Sequence, residues 1–265
     1  MKRIIVTSNK NKNCLPLAKE GEAYLVSKGV ECLHDEDFGL GILDNPPKAD
    51  FCLVLGGDGT ILTACRKLLD TGIPVLGVNF GHLGYLATAE PEEMREALEK
   101  VLDGQFYYEE RISVKAKFGD EVYSGLNEAV IFRGAPHLID VSININGQEA
   151  DSIHADGILA ATPTGSTAYN LSAGGPIIVP TAENLVITPI CAHSLSARPI
   201  VVGKSDVITF TSRSTAELSV DGQDVGKIHA GDSLEITVGE KIKLIRLKEN
   251  AFFKTLRKKL SGLYG

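Results

Sequence analysis

"FCLVLGGDGT", residues 51–60, runs apolar for five residues and then ends on two glycines, an aspartate, a third glycine and a threonine. A short unbroken apolar run bounded by glycine suits a strand covered on both faces, as in a parallel sheet. The flanking sequence agrees. "RIIVTS" reads as a strand, residues 12–29 as a helix with Pro16 near its start, "ILTACRKLLDTG" as a helix ended by Gly72, and "PVLGVN" as another strand. "EPEEMREALEKVL" opens on Pro91 and two glutamates, which suit a helix N-terminus, and puts Met94, Leu98 and Val101 on one face. Such βαβ repetition predicts an open, mostly parallel α/β sheet.

After about residue 104 the period changes. Ile112, Val114, Ala116 and Phe118 alternate with other residues, as do Ile139, Val141, Ile143 and Ile145, which lead into Asn146-Gly147. Asp221-Gly222 is a second hairpin-type dipeptide, ahead of "SLEITVGEKIKLIRL". This is antiparallel β patterning. The expected organisation is an α/β domain over 1–103 and a β-rich domain over 104–248. The basic tail 249–265, with Phe252, Leu256 and Leu260 at helical spacing, reads as an amphipathic helix with a solvated charged face, able to pack back on the first domain.

Composition narrows the function. The 265 residues are 43% hydrophobic and 23% charged, in the range of a globular protein. A net charge of −7 gives no basic footprint for nucleic acid, so an anionic ligand would be held locally. Cys14, Cys32, Cys52, Cys65 and Cys191 form no C-x-x-C pair, which suits reduced thiols packed as small apolar groups. "MKRIIVTSNK" has too few apolar residues for a signal peptide, and no run approaches membrane-spanning length. The expectation is a cytoplasmic protein without nucleic-acid or membrane partners.

Ligands of open parallel sheets sit beyond the carboxyl ends of the strands, where Gly56-Gly57 falls. Glycine lets a ligand approach the main chain, and the start of the following helix offers free amides to phosphate. Asp58 and Thr60 are the polar groups there, and Asp58 could alternatively serve only as a helix cap. "NFGHLGYL" makes a second small-residue turn through Gly81 and Gly84, at the end of the adjacent strand. Gly203-Lys204-Ser205 resembles the end of a P-loop, but Arg198 occupies the earlier glycine position, so it reads as a β-turn. No G-x-G-x-x-G fingerprint is present, which argues against a dehydrogenase.

The stretch "HADGILAATPTGSTAYNLSAGGPIIVP", residues 154–180, is dense in Gly, Ser and Thr and contains Asp156, Tyr169 and Asn170. Hydroxyls and main-chain amides suit ligands rich in hydroxyl and phosphate groups. Together with "GGDGT", Asn127-Glu128 and "DGQ" at 221–223, in that order, it closely resembles the NAD kinase family over essentially the whole chain.

The resemblance implies an α/β domain followed by a β-rich one, with the site in the cleft between them. It also implies phosphorylation of the adenosine ribose 2′-hydroxyl of NAD, giving NADP. Asp58 matches the catalytic aspartate, with Gly59 beside it. Tyr85, Asn127, Glu128, His154, Asp156, the run Thr167, Ala168, Tyr169, Asn170, Leu171 and Ser172, and Gln223 match NAD contacts. Gly56, Gly57, Thr60, Gly174 and Gly175 belong to the loops expected near the donor phosphates. ATP as donor, a divalent metal (magnesium or manganese) and a homodimer or homotetramer are likewise implied. Two other readings start from the same residues. One is a lipid or sugar kinase of the "GGDGT" type, which leaves 154–180 unexplained. The other is a non-catalytic dinucleotide sensor, which has no use for a base at Asp58.

Overall fold

A computed structural model describes residues 1–10, 14–81, 84–248 and 251–261. The chain divides into one unit formed by Met1–Glu110 with Ile242–Gly265 and another formed by Arg111–Lys241.

In the first unit the order is β1 (Arg3–Ser8), α1 (Leu15–Ser27), β2 (Glu31–Glu36), β3 (Phe51–Gly56), α2 (Asp58–Lys67), β4 (Val75–Asn79) and α3 (Met94–Leu102). The strands are parallel in the order β2-β1-β3-β4. Phe51 to Leu55 are fully buried, as expected of a strand with both faces covered. On one face they meet Ala18 and Leu25 of α1 and Met94, Leu98 and Val101 of α3 in a single apolar cluster. Gly21 gives α1 its approach to α3, because a Cβ there would lie 3.3 Å from the Met94 sulfur. The chain leaves β1 for one neighbour and β3 for the other, so the carboxyl ends of these two strands form the crevice favoured by ligands.

Two details differ from the sequence reading. β2 was not foreseen, because "ECLHDE" is an edge strand with little apolar alternation. Helix α2 starts at Asp58 rather than at residue 61, since the glycine-rich turn closes within Gly56-Gly57. The helix reading for residues 12–29 is realised over Leu15–Ser27, and its residues 12 and 13 lie outside the described residues.

The second unit is antiparallel. Its strands are β5 (Tyr107–Phe118), β6 (Glu121–Gly125), β7 (Glu128–Phe132), β8 (Ile139–Ile145), β9 (Gln148–Ala155) and β10 (Gly157–Ala161), then, after the short helix α4 (Tyr169–Ser172), β11 (Asn184–Ile190), β12 (Ile200–Gly203), β13 (Ile208–Ser212), β14 (Ala216–Val220), β15 (Gln223–Ile228) and β16 (Ser233–Arg246). One sheet runs β12-β11-β10-β7-β14-β15, and the other pairs β16-β13-β8-β9. Between them lies a core of alternating residues, including Ile131, Ile158, Ile187 and Leu218 from the first sheet and Val141, Ile143, Phe210 and Ile236 from the second. The opposite face of the six-stranded sheet, with Val130, Leu159 and Val186, is packed by Ala173 and Ile178 of the loop after β10. Gly203 to Asp206 forms the β-turn read from the sequence, closed by the Asp206 amide on the Gly203 carbonyl at 3.2 Å.

The unit division falls inside β5 and β16, so it does not coincide with the composition shift near residue 104. Both strands run unbroken through the division, so element boundaries alone cannot place it. The last helix, α5 (Ala251–Ser261), belongs to the first unit.

Both dipeptide turns form as expected, with Asn146 and Gly147 at φ 54° and 78° and Asp221 and Gly222 at φ 50° and 70°. Two consecutive left-handed residues match the right-handed twist of the flanking strands. Replacing Gly147 by valine should therefore destabilise the protein by about 1–2 kcal/mol, read as a lowered urea midpoint at unchanged slope. An unaltered midpoint would show that the turn tolerates a β-branched side chain.

Candidate active site

In the first unit the glycine-rich turn is assembled around one carboxylate. Gly57 is the N-cap of α2 and makes no side-chain cap, while Asp58 is already helical. The capping role open to Asp58 is not what the structure shows. Its Oδ2 accepts the Tyr85 amide at 2.8 Å and its Oδ1 accepts the Leu86 amide at 3.1 Å. The second small-residue turn thus comes directly onto the first. Gly84 allows it, because a Cβ there would sit 2.0 Å from Asp58 Oδ1. His82 and Leu83 of the same turn lie outside the described residues.

The 85–87 segment is gripped from its carbonyl side as well. Arg246, at the end of β16 and 7% exposed, donates to the carbonyls of Tyr85, Leu86 and Ala87 at 3.1, 2.9 and 2.8 Å, and pairs with Glu109. The Thr60 hydroxyl is buried and accepts from the Asn9 amide group at 3.0 Å, joining the ends of β1 and β3. A Cβ at Gly56 would meet that hydroxyl at 2.5 Å, so the turn has no room for a larger residue. Gly59 is exposed, and a Cβ there would project into open space. The Tyr85 ring packs on Phe252 of α5, with centroids 5.7 Å apart.

In the second unit the organising group is Asp221, in the β14–β15 turn. Its carboxylate accepts the amides of Leu126, Asn127 and Glu128 at 2.7, 2.7 and 3.2 Å, and its own amide returns to the Glu128 carbonyl at 3.0 Å. From the other side Thr162 donates its amide to the Asn127 carbonyl at 2.8 Å and its hydroxyl to the Leu126 carbonyl. Gly165 presses against the same peptide, where a Cβ would fall 2.2 Å from the Asn127 oxygen. The Asn127-Glu128 segment is therefore fixed on two sides.

Glu128 is 6% exposed, and its Oε2 finds no partner among the described residues. Burial, and then the nearby Asp221 charge, push its carboxyl up to about 8. A buried carboxyl that is shifted upward and has an unpaired oxygen is a candidate functional group.

The 154–180 stretch divides into scaffold and surface. Asn170 is fully buried, donating to the Ser166 and Pro176 carbonyls and accepting from Thr188, while Gly175 packs against its amide group. The Asn170 side chain thus serves the loop itself. Thr167 and Ala168 are half-buried, Leu171 is half-buried, and Ser172 is exposed at the end of α4. Gly174 takes φ 85°, which turns the chain back from α4. Tyr169 is exposed, and its phenol is shifted up by partial burial and by the charges of Cys191, Asp156 and Glu128. Asp156 pairs with Arg133 at 2.8 Å. His154 faces outward on β9 and meets Asp140 at 2.9 Å, and Gln223 is exposed at the start of β15. Cys191 is exposed at φ 48°, unlike the buried apolar role expected of it, because it forms the turn that ends β11.

Asn9, Arg133 and Arg246 were not singled out from the sequence, and Asp221 was read there only as a turn residue and part of "DGQ". Their hydrogen-bond and ion-pair partners carry no local motif.

This geometry can be set beside known proteins. Residues 42–106 match the family model of the ATP-NAD kinase N-terminal domain, and residues 126–247 match that of the ATP-NAD kinase C-terminal domain. The chain belongs to the NAD kinase family. An NAD kinase of Caldicellulosiruptor saccharolyticus is 40% identical over 248 residues, covering 91% of this chain and 95% of the relative. Among solved structures, yeast NADH kinase complexed with NADH superposes with a TM-score of 0.88 at 27% identity, over 98% of this chain and 88% of that one. An NAD kinase from Archaeoglobus fulgidus in complex with ATP gives 0.78 at 27% identity, over 97% and 98%.

The Glu128 shift has a consequence for stability. A carboxyl raised from 4.5 to about 8 keeps its proton in the folded chain after the unfolded chain has lost it. The wild type therefore loses stability as pH rises from about 4.5 to about 8, whereas a glutamine at this position does not titrate. Glu128→Gln should melt close to wild type at pH 5 and several degrees higher at pH 9. A melting difference that does not change with pH would contradict the protonated state.

Proposed function

We propose that this chain transfers the terminal phosphoryl group of ATP to the 2′-hydroxyl of the adenosine ribose of NAD, giving NADP. The observation that carries the reading is the Asp58 carboxylate. It is fixed by two main-chain amides in the first turn of α2, beside glycines that leave the backbone open to a ligand. Membership of the NAD kinase family, matched over both of its domains, supplies the substrate pair.

A ribose hydroxyl is far less acidic than a carboxylic acid, so Asp58 cannot remove its proton in advance. It orients the hydroxyl and takes the proton late, as charge develops on the attacking oxygen. The two amides leave each carboxylate oxygen a lone-pair direction for that contact. The free amides at the start of α2 face the same end of the sheet and suit phosphate oxygens, with Gly56, Gly57 and Thr60 lining the turn. In the second unit Asn127, Glu128, Asp156 and the exposed Tyr169 form the recognition set for NAD, and the orphaned Glu128 oxygen is the strongest mark of it.

A divalent cation, magnesium or manganese, is part of the proposal. Among the described residues no group of three or more His, Cys, Asp or Glu could hold a metal ion. That donor set fits a cation carried chiefly by phosphate oxygens and water, with Asp58 as the carboxylate nearest the glycine-rich turn. When bound, it would neutralise charge on the donor. We also propose a homodimer or homotetramer in the cytoplasm, without nucleic-acid partners. No helix of the described residues is long and apolar enough to cross a membrane.

The test is NADP formation from NAD, ATP and magnesium, read by an NADP-specific dehydrogenase. Asp58→Asn should lower turnover by about 10²–10⁴ while far-UV dichroism and NAD binding persist. A folded, NAD-binding variant with near-wild-type turnover would remove Asp58 from the chemistry. NAD binding without turnover in the wild type would favour the sensor reading.

A further inference from the structure

The two glycine-rich turns carry a carboxylate and no lysine or arginine among their described residues, yet phosphoryl transfer brings further negative charge to Asp58. The structure supplies a cation from the far end of the chain. Helix α5 turns Phe252, Thr255 and Lys259, spaced three and four residues apart, to one side. Phe252 packs on the Tyr85 ring, and Thr255 is 8% exposed. Lys259 places its ammonium 4.2 Å from the centre of that ring and 3.9 Å from Asp58 Oδ2. Lys254, Arg257 and Lys258 are exposed. The solvated face expected for this helix therefore excludes Lys259.

The geometry of this contact is specific. At 3.9 Å the ammonium is too far from Asp58 for a hydrogen bond, so its three N–H donors are not spent on the carboxylate. The face of Tyr85 holds it instead, by attraction of the cation to the ring. Both side chains are about one-third exposed, 37% for Lys259 and 34% for Asp58, so each remains open to a ligand. An ammonium parked beside the base, with no hydrogen-bond partner among the described residues, is placed to donate to phosphate oxygens.

We propose, building on the kinase reading above, that Lys259 is a catalytic residue that hydrogen-bonds an oxygen of the donor's terminal phosphate. In the step it serves, the ribose oxygen bonds to the terminal phosphorus as the bond to the nucleoside diphosphate oxygen breaks. The hydroxyl proton passes to Asp58, and the diphosphate leaves with the bonding electron pair. Lys259 keeps its protons throughout and offsets charge that would otherwise accumulate between phosphate and carboxylate.

The experiment compares Lys259→Met, Lys259→Arg and, as a control on the same helix, Lys258→Met, by steady-state NADP formation with melting curves alongside. Lys259→Met should lose about 10²–10³ in kcat, with KM for NAD changed by less than about threefold and an unchanged melting point. Lys259→Arg should recover part of the loss, and Lys258→Met should behave as wild type. Turnover of Lys259→Met within about threefold of wild type, or above it, overturns the assignment, the latter because the lysine would then be blocking the base. Equal losses in Lys259→Met, Lys259→Arg and Lys258→Met would also overturn it, in favour of a purely structural helix. Wild-type protein that forms no NADP would instead overturn the kinase reading, and the assignment with it.

Discussion

The turn at 85–87 is held by opposite charges acting on opposite poles of its peptide groups. Its amides point at the Asp58 carboxylate, and its carbonyls point at the Arg246 guanidinium. Hydrogen bonds to ionised groups are roughly twice as strong as neutral ones, and the buried Arg246 keeps that advantage better than the one-third-exposed Asp58. Asp58 could not otherwise be aimed, since it lies in the first turn of α2 and caps nothing. The glycines follow from the same requirement. Gly84 must let the carboxylate pass, and Gly56 must let Thr60 fold back towards Asn9.

The second unit solves its own problem with the same device. Asp221 gathers three successive amides and so fixes the peptide that carries Asn127 and Glu128. Its position at φ 50° in a two-residue turn lets the carboxylate reach across to the start of β7. The cost of this arrangement falls on Glu128, a buried acid beside a carboxylate already committed to the backbone. Protonation is how a carboxyl meets that environment, and it converts a pure acceptor into a group that can also donate.

Much of this was legible in the sequence where periodicity and turn chemistry carry the information. The apolar run at 51–56 is the buried parallel strand it reads as, and Asn146-Gly147 and Asp221-Gly222 are the hairpin turns. The edge strand β2 escaped because "ECLHDE" lies largely polar at the margin of the sheet. The start of α2 was misplaced by three residues, since Asp58 reads equally well as a cap or as a first-turn acid. That the Asn170 side chain braces its own loop was not legible either, because its partners are backbone carbonyls and Thr188, which no motif announces. The partners of Arg246 and of the Asp221 carboxylate were illegible for another reason. They lie about 160 and 95 residues away, and neither a motif nor a period spans such distances.

The charge balance of the glycine-rich turn draws on the far end of the chain. A turn built from glycine lets other groups approach the backbone closely but forfeits the side chains that could balance charge. In a P-loop the balancing lysine follows the glycines directly in sequence. Here the corresponding stretch continues into α2 with Ile61, Leu62 and Thr63, and the nearest cations of that helix, Arg66 and Lys67, fall in its last turn, at the wrong pole. Among the described residues, positive charge reaches the turn as β16 returns beside β4 to set Arg246 under the 85–87 carbonyls, and α5 lays Lys259 against Tyr85. The division of the chain reflects this, since Ile242–Gly265 belongs with Met1–Glu110. The first unit is thus a discontinuous structure whose carboxylate comes from its start and whose cations come from its end.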